Sequence, residues 1–247
     1  MLFFQFIIMI TTWSFIMRIS ETTQLILRNF ANINQSVLLT GNNRISTWSI
    51  GRNILVSADI EEEFPDQFGI YDLPRFLGNL SIYPDLTFED EYVIMSNGTK
   101  TYKFMAADPS TIVYPTTVFR MDNSQNNPED CRELPQPDFD VNISEATLST
   151  IKKVASINSL PDYALTADEG TVNFVALDKQ SDTSDIASEP VGESDVNFRM
   201  YFKNENLRII DGDYFVGIST NKISTFRHQT LPVQYWITME SDSEYDI

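Results

Sequence analysis

The chain runs through one order of elements twice, on either side of a proline-rich stretch, and this repetition limits its folds more than any other feature. Residues 115–139 hold Pro115, Pro128, Pro135 and Pro137 among Asn, Asp and Gln residues, with little hydrophobic periodicity. Such a stretch reads as a connector over the surface, because a buried loop would carry backbone polar groups without partners. Before it, Ile26, Phe30 and Ile33 recur at i, i+4 and i+7 with Leu27 beside them. This spacing predicts an amphipathic helix over 20–33 with Ser20 as its N-cap, and Arg28, Asn29 and Asn32 off the apolar stripe. Short β-rich runs follow at 37–39, 47–50 and 54–58. Asp72, Leu73 and Pro74 open a second short helix carrying Leu73, Phe76, Leu77 and Leu80 on one face; proline is tolerated in a first turn, where its missing amide has no partner to lose. Asn97-Gly98, between the runs 92–95 and 101–105, predicts a hairpin, since both turn positions favour positive φ.

Beyond the connector the order restarts. Ser144 is expected to cap a helix with Leu148, Ile151, Val154 and Ala155 on its apolar side. Strands are expected at 172–177 and 196–200, a short helical piece at 202–209, and strands at 214–219, 222–227 and 233–239, before an acidic tail. Residues 180–194 read as an acidic, Ser/Asp-rich loop. The halves share no obvious sequence identity, only an order of elements. The expected fold is therefore α+β, with two similar helix-plus-sheet modules at 17–115 and 140–247 joined by a connector at 116–139. With 42% hydrophobic residues in 247, there is apolar material for a core in each.

Residues 1–16 carry no charge, and 12 of them are apolar. That is short of the roughly 20 residues of a membrane span, and a signal peptide would need a basic leading region and a small-residue cleavage site. A signal anchor is one reading. The expected one is a non-native N-terminal extension ahead of a natural start at Met17.

No enzyme signature is present. There is no G-x-x-x-x-G-K-S/T, no G-x-G-x-x-G and no G-x-S-x-G. One cysteine, Cys131, leaves no material for an intrachain disulfide, and with one histidine, His228, it argues against a Cys/His zinc site, a histidine-dependent triad or a Cys–His dyad. His228 is expected to be structural. The densest acidic run, Glu61 to Glu63, is expected to be a solvated turn rather than a metal site. No cofactor and no metal are expected. Matches to N-x-S/T at Asn34, Asn79, Asn97 and Asn142 are read as chance, without a secretory signal to give them meaning.

Charge is more informative. Acidic residues outnumber basic ones 35 to 17, for a formal charge of −18, which excludes a wholly basic nucleic-acid surface but not a basic stripe on an acidic body. Seven of the 17 basic residues, Arg18, Arg28, Arg75, Lys152, Lys153, Lys203 and Arg208, lie on or beside the four expected helical segments. On a single helix this is ordinary solvated surface. It becomes a segregated field only if the four segments share one side of the molecule.

At this point particular residues resemble a known family. The stretch MRISETTQLILRNFANIN at 17–34 is similar to the start of the sliding clamps, the DNA polymerase processivity factors, of T-even-type tailed bacteriophages. So are GIYDLPRFLG at 69–78, AADPSTIVYP at 106–115 and the ending MESDSEYDI at 239–247. The resemblance covers 17–247 and is stronger in the first half. It implies a DNA-clamp fold assembled as a homotrimeric, six-module ring, with sheets outside and helices around duplex DNA, and no enzymatic chemistry. It implies as partners the replicative DNA polymerase, a clamp-loader ATPase and late-transcription factors, in the cytoplasm of an infected bacterium and without a membrane. Arg28, Lys153 and Arg208 match basic, inward-facing positions of the family; Arg75, Lys152 and Lys203 are basic and near the right segments without a residue-by-residue match. Glu21 departs from members that are basic there, and the connector is longer than the family's. Partner peptides are expected to dock beside the connector and near the C-terminal strand at Tyr235, Trp236 and Ile237, residues that otherwise simply alternate between core and surface. The reading from a different class is a non-enzymatic virion component, which would have no use for basic residues on the helices of both modules.

Overall fold

The computed structural model describes residues 16–65, 67–115, 118–119, 131–132 and 137–246. The expected N-terminal extension, Ile16 apart, and most of the connector lie outside the described residues. Helix α1 (Glu21–Ile33) begins where Ser20 predicts, with the Ser20 hydroxyl accepting from the Thr23 amide at 3.2 Å. Glu62 reaches the same turn from a distant loop, accepting from the Ser20 amide at 2.5 Å and the Thr23 hydroxyl at 2.6 Å. A carboxylate there also meets the positive end of the helix dipole. So the middle residue of the acidic run at 61–63 is an external cap rather than part of a solvated turn.

Strands β1 (Val37–Leu39), β2 (Arg44–Trp48), β3 (Ile54–Asp59) and β4 (Phe68–Ile70) follow, then helix α2 (Leu73–Leu80), capped by Asp72 and carrying Pro74 in its first turn. Strands β5 (Asp85–Phe88), β6 (Tyr92–Asn97) and β7 (Lys100–Met105) come next, the last two forming the expected hairpin with Gly98 at φ 64°. Two short parallel strands, β8 (Val118–Phe119) and β9 (Cys131–Arg132), pair within the connector. Then come β10 (Phe139–Ile143), α3 (Glu145–Asn158), β11 (Asp162–Asp168), β12 (Thr171–Leu177), β13 (Ala187–Glu193), β14 (Phe198–Lys203), β15 (Tyr214–Ile218), β16 (Ile223–His228), β17 (Val233–Thr238) and β18 (Glu244–Tyr245).

The pairing makes the duplication explicit. In the second half, β10-β15-β16-β17 form one antiparallel set and β13-β12-β11-β14-β18 another. In the first half, Met17 bridges to Leu86 beside β5-β6-β7, while β3-β2 lie next to β1-β4, and Ala107 bridges to Gly69 at the end. Gly69 is required there, because a Cβ would sit 2.6 Å from the Ala107 carbonyl oxygen. The halves are joined by β17 pairing antiparallel to β3, with Tyr235 opposite Val56, which makes a six-stranded sheet β10-β15-β16-β17-β3-β2 across both modules. Apolar side chains of α1, α2, α3 and the inner sheet faces form one continuous core.

Two expectations are corrected. The helical piece at 202–209 is absent: Phe202 and Lys203 end β14, a single 3-10 turn spans Asn204–Asn206, and the chain then continues as an irregular loop to β15. Asn206, Leu207, Ile209 and Ile210 are buried around an exposed Arg208, and Asn204 is tied through its side chain to the Leu160 carbonyl at 3.0 Å. The acidic loop at 180–194 contains β13. As an edge strand paired, among the described residues, only to β12, it buries little, so it has no apolar alternation to reveal it, and its Pro190 is tolerated at an edge.

Candidate nucleic-acid interface

The segments bearing the basic residues lie side by side. Helix α2 packs on α1. The loop 204–213 abuts the C-terminal half of α1, where the Asn29 side-chain amide donates to the Arg208 carbonyl at 3.0 Å and the Arg208 guanidinium donates to the Asn32 carbonyl at 2.9 Å. The same loop reaches α3: Asp213 accepts from the Glu145 amide at 2.7 Å, and Asp211 lies 3.6 Å from the Lys152 ammonium. The order α2, α1, loop, α3 therefore forms one face across both modules, with the loop standing where α2 stands in the first. Gly212 lets this loop pass against His228; at φ 150° its Cβ would meet the imidazole at 2.2 Å. The His228 ring is fully used: Nδ1 accepts from the Leu231 amide at 3.1 Å and the Thr230 amide at 3.2 Å, which leaves Nε2 as donor to the Asp211 carbonyl at 3.2 Å.

The six basic candidates divide on this geometry. Arg28 is exposed on α1, with a weak contact to Gln24 at 3.4 Å. Lys153 is exposed on α3 and makes no ion pair among the described residues. Arg75 is exposed on α2, 3.8 Å from Asp72, with its guanidinium carbon 5.1 Å from the centre of the Phe104 ring. Arg208 is exposed although two of its N–H groups are engaged, by Asn32 and by the Glu205 carbonyl at 2.7 Å. Lys152 is half-withdrawn toward Asp211. Lys203 is on a strand, not a helix. Its ammonium lies 2.7 Å from Asp162, which is 1% exposed, and 3.8 Å from Glu240. The hydrogen bond to Asp162 raises the Lys203 pKa above the ordinary lysine value. Lys179 extends this group to Glu240 and Asp242, and its hydrogen bond holds the Asp242 carboxyl below the usual range. This set fastens the acidic tail to the second module.

Of the three residues expected at a partner groove, Tyr235 and Ile237 are fully buried in the core, and Trp236 is 5% exposed on the opposite face of β17, beside Leu55 of β3. Tyr235 and Ile237 therefore line no outer groove. The Tyr235 hydroxyl, pushed well above the ordinary tyrosine range by burial, instead donates to Asn29 Oδ1 at 2.9 Å and accepts from the Ile210 amide at 3.3 Å. Neither this link nor the Arg208–Asn32 contact has a signal in the sequence, since both join residues more than 170 positions apart with no charge partner or motif to connect them. Among the described residues, no three His, Cys, Asp or Glu side chains converge as metal ligands, and no helix is long and apolar enough to cross a membrane.

No family model matches the chain. Among solved structures, the A. fulgidus PCNA in a complex with the C-terminal region of FEN-1 superposes with a TM-score of 0.63 at 16% identity, over 93% of this chain and 98% of that one. The DnaN sliding clamp, a DNA polymerase III subunit β of Bartonella birtlesii, gives 0.63 at 12% identity, over 92% of this chain and 64% of that one. The chain has the DNA-clamp fold. In sequence it resembles phage sliding clamps along nearly its whole length: that of Vibrio phage KVP40 is 29% identical over 91% of this chain and all of the relative. Those of Escherichia phage RB69 and Enterobacteria phage T4 are 27% and 25% identical over 93% of this chain, again matched in full. Within the clamp fold of this chain, the helix of the second module that would mirror α2 is replaced by the loop 204–213.

The division of the lysines can be checked by stability. Lys203→Ala leaves the buried Asp162 carboxylate unpaired and should cost about 3 kcal/mol in urea denaturation at fixed protein concentration. Lys153→Ala should change stability by no more than about 0.5 kcal/mol. Equal losses would mean that Lys203 is as free as Lys153.

Proposed function

We propose that the chain is a DNA sliding clamp, a ring-shaped processivity factor that encircles duplex DNA and tethers the replicative DNA polymerase. The observation that carries this reading is the single face of α2, α1, loop 204–213 and α3, with Arg75, Arg28, Arg208 and Lys153 exposed on it, in a chain of formal charge −18. Arg28, Lys153, Arg208 and Arg75 touch phosphates in this reading; Lys152 joins them only when it leaves Asp211, and Lys203 drops to a structural role. Phosphate contacts are independent of sequence and lost at high salt, which suits a protein that slides, while the acidic remainder repels DNA from every other side. The role is one of binding, without chemistry. A clamp-loader ATPase opens and places the ring, and late-transcription factors are further partners, in the cytoplasm of the infected host. Their peptides dock on the outer face; of the three expected residues Trp236, and not Tyr235 or Ile237, lies on the face of β17 opposite the core.

The sheets support the ring. Inside the chain, β17 at the end of one strand set pairs with β3 at the end of another. The equivalent ends, β7 and β13, have one neighbour each among the described residues. Pairing β7 of one chain with β13 of the next repeats the internal junction between chains and hides both edges, and three chains close a homotrimer of six modules. The edges are complementary: β7 carries Lys100 and Lys103, and β13 carries Glu189 and Glu193.

Two experiments test these halves. The pair Lys100→Glu and Lys103→Glu should shift the protein in sedimentation velocity from three times 28.3 kDa toward monomer, and adding Glu189→Lys and Glu193→Lys should restore the trimer. Failure of the second pair to rescue would place the interface elsewhere. Separately, Arg28→Glu, Lys153→Glu and Arg208→Glu together should leave the trimer intact and cripple polymerase processivity, most severely at high salt. Parent-like synthesis by this variant would make the face ordinary solvated surface.

A further inference from the structure

We propose that Tyr235 is a positioning residue for Arg208: its buried hydroxyl holds loop 204–213 against α1, so that a loop presents a cation as firmly as a helix would. The inference rests on the reading of this face as the DNA side. It adds a residue that cannot itself touch DNA, since Tyr235 is fully buried on β17.

The geometry is a closed cycle through both modules. The Tyr235 hydroxyl donates to Asn29 Oδ1 at 2.9 Å, and Asn29 Nδ2 donates to the Arg208 carbonyl at 3.0 Å. Two residues on, the Ile210 amide donates back to the Tyr235 hydroxyl at 3.3 Å, while the Ile210 carbonyl accepts from the Tyr214 hydroxyl at 2.5 Å. Both backbone groups of Ile210 are thus held by buried tyrosines, and the Arg208 backbone by an asparagine that Tyr235 orients. A loop would otherwise be the softer part of such a face.

The guanidinium completes the arrangement. Helix α1 has no basic residue in its last turn, so its C-terminal carbonyls would leave a negative end on the very face that must accept phosphate. Arg208 supplies the missing cation from the other module, donating through Nη1 to the Asn32 carbonyl at 2.9 Å and through Nε to the Glu205 carbonyl at 2.7 Å. Of the five N–H donors of a guanidinium, three remain that no described residue takes, enough for a forked phosphate contact. In the first module Arg75 needs no such brace, because α2 carries it directly.

The test is a double-mutant cycle in the full chain, read as the salt dependence of binding to a short fluorescent linear duplex. Arg208→Ala should lower the slope of log K against log salt by about 0.9 for each phosphate contact removed. Tyr235→Phe should lower it to a similar degree, and the double variant should lower it no further, because the hydroxyl acts through Arg208. Should Tyr235→Phe fail to fold, Asn29→Ala breaks the same cycle from the α1 side and serves in its place. A melting temperature that falls while the salt slope stays at the parent value would overturn the inference, as would slope losses that add in the double variant. If Arg208→Ala is silent while Arg28→Ala and Lys153→Ala are not, the inference fails and the DNA face stands. If all three are silent, both fail.

Discussion

The antiparallel pairing of β17 with β3 is the constraint from which the rest of this structure follows. It carries one sheet from the second module into the first. Helix α1 packs against β2 and β3 of that sheet and α3 against β12 and β13 of the second module's other sheet, around one core, and loop 204–213 bridges the two helices. A chain of two independent modules could turn its helices to any relative angle. Here Tyr235 and Val56, opposite one another in the junction, fix the angle, and the Tyr235 hydroxyl carries the constraint onward to Asn29 on the helix face. Backbone pairing thus determines which side chains can act together at the surface.

Electrostatics then separates two kinds of cation. Lys203 and Lys179 face Asp162, Glu240 and Asp242 and hold the acidic tail in place. Arg28 and Lys153 face solvent with no carboxylate beside them among the described residues, and Arg208 faces carbonyl groups rather than acids. The difference matters because a cation already matched by a buried carboxylate contributes little field outside the protein. An excess of acid over base of 35 to 17 is compatible with a positive face only if such matching is confined to other parts of the molecule.

How far this could be read from the sequence depended on whether the signal was local. The cap at Ser20, the stripe of Ile26, Phe30 and Ile33 and the hairpin around Gly98 are local, and the structure has them, although Asn97 ends β6 and the two turn residues are Gly98 and Thr99. The strand β13 was hidden because an edge strand buries little. The stretch 202–209 reads as a helix in the sequence because Phe202, Leu207 and Ile209 are apolar for reasons of strand and loop burial. Of the site, the exposure of Arg28 and Lys153 was legible from their places off the apolar stripes. The roles of Lys203 and Tyr235 were not, because a pairing with Asp162 or Asn29 exists only after the sheet has formed. The resemblance at 17–34, 69–78, 106–115 and 239–247 implied the DNA-clamp fold that the structure has, without revealing that a loop replaces one helix.

The central claim is that this face closes around DNA rather than lying upon it. The most direct measurement places the protein, with its cognate loader and ATP, on nicked circular duplex and follows retention through a high-salt gel-filtration wash. A protein held by enclosure should stay on the circle at salt concentrations that abolish phosphate contacts, and should be lost once a single cut makes the DNA linear. Equal loss from circle and line at high salt, or retention on cut DNA, would contradict the account.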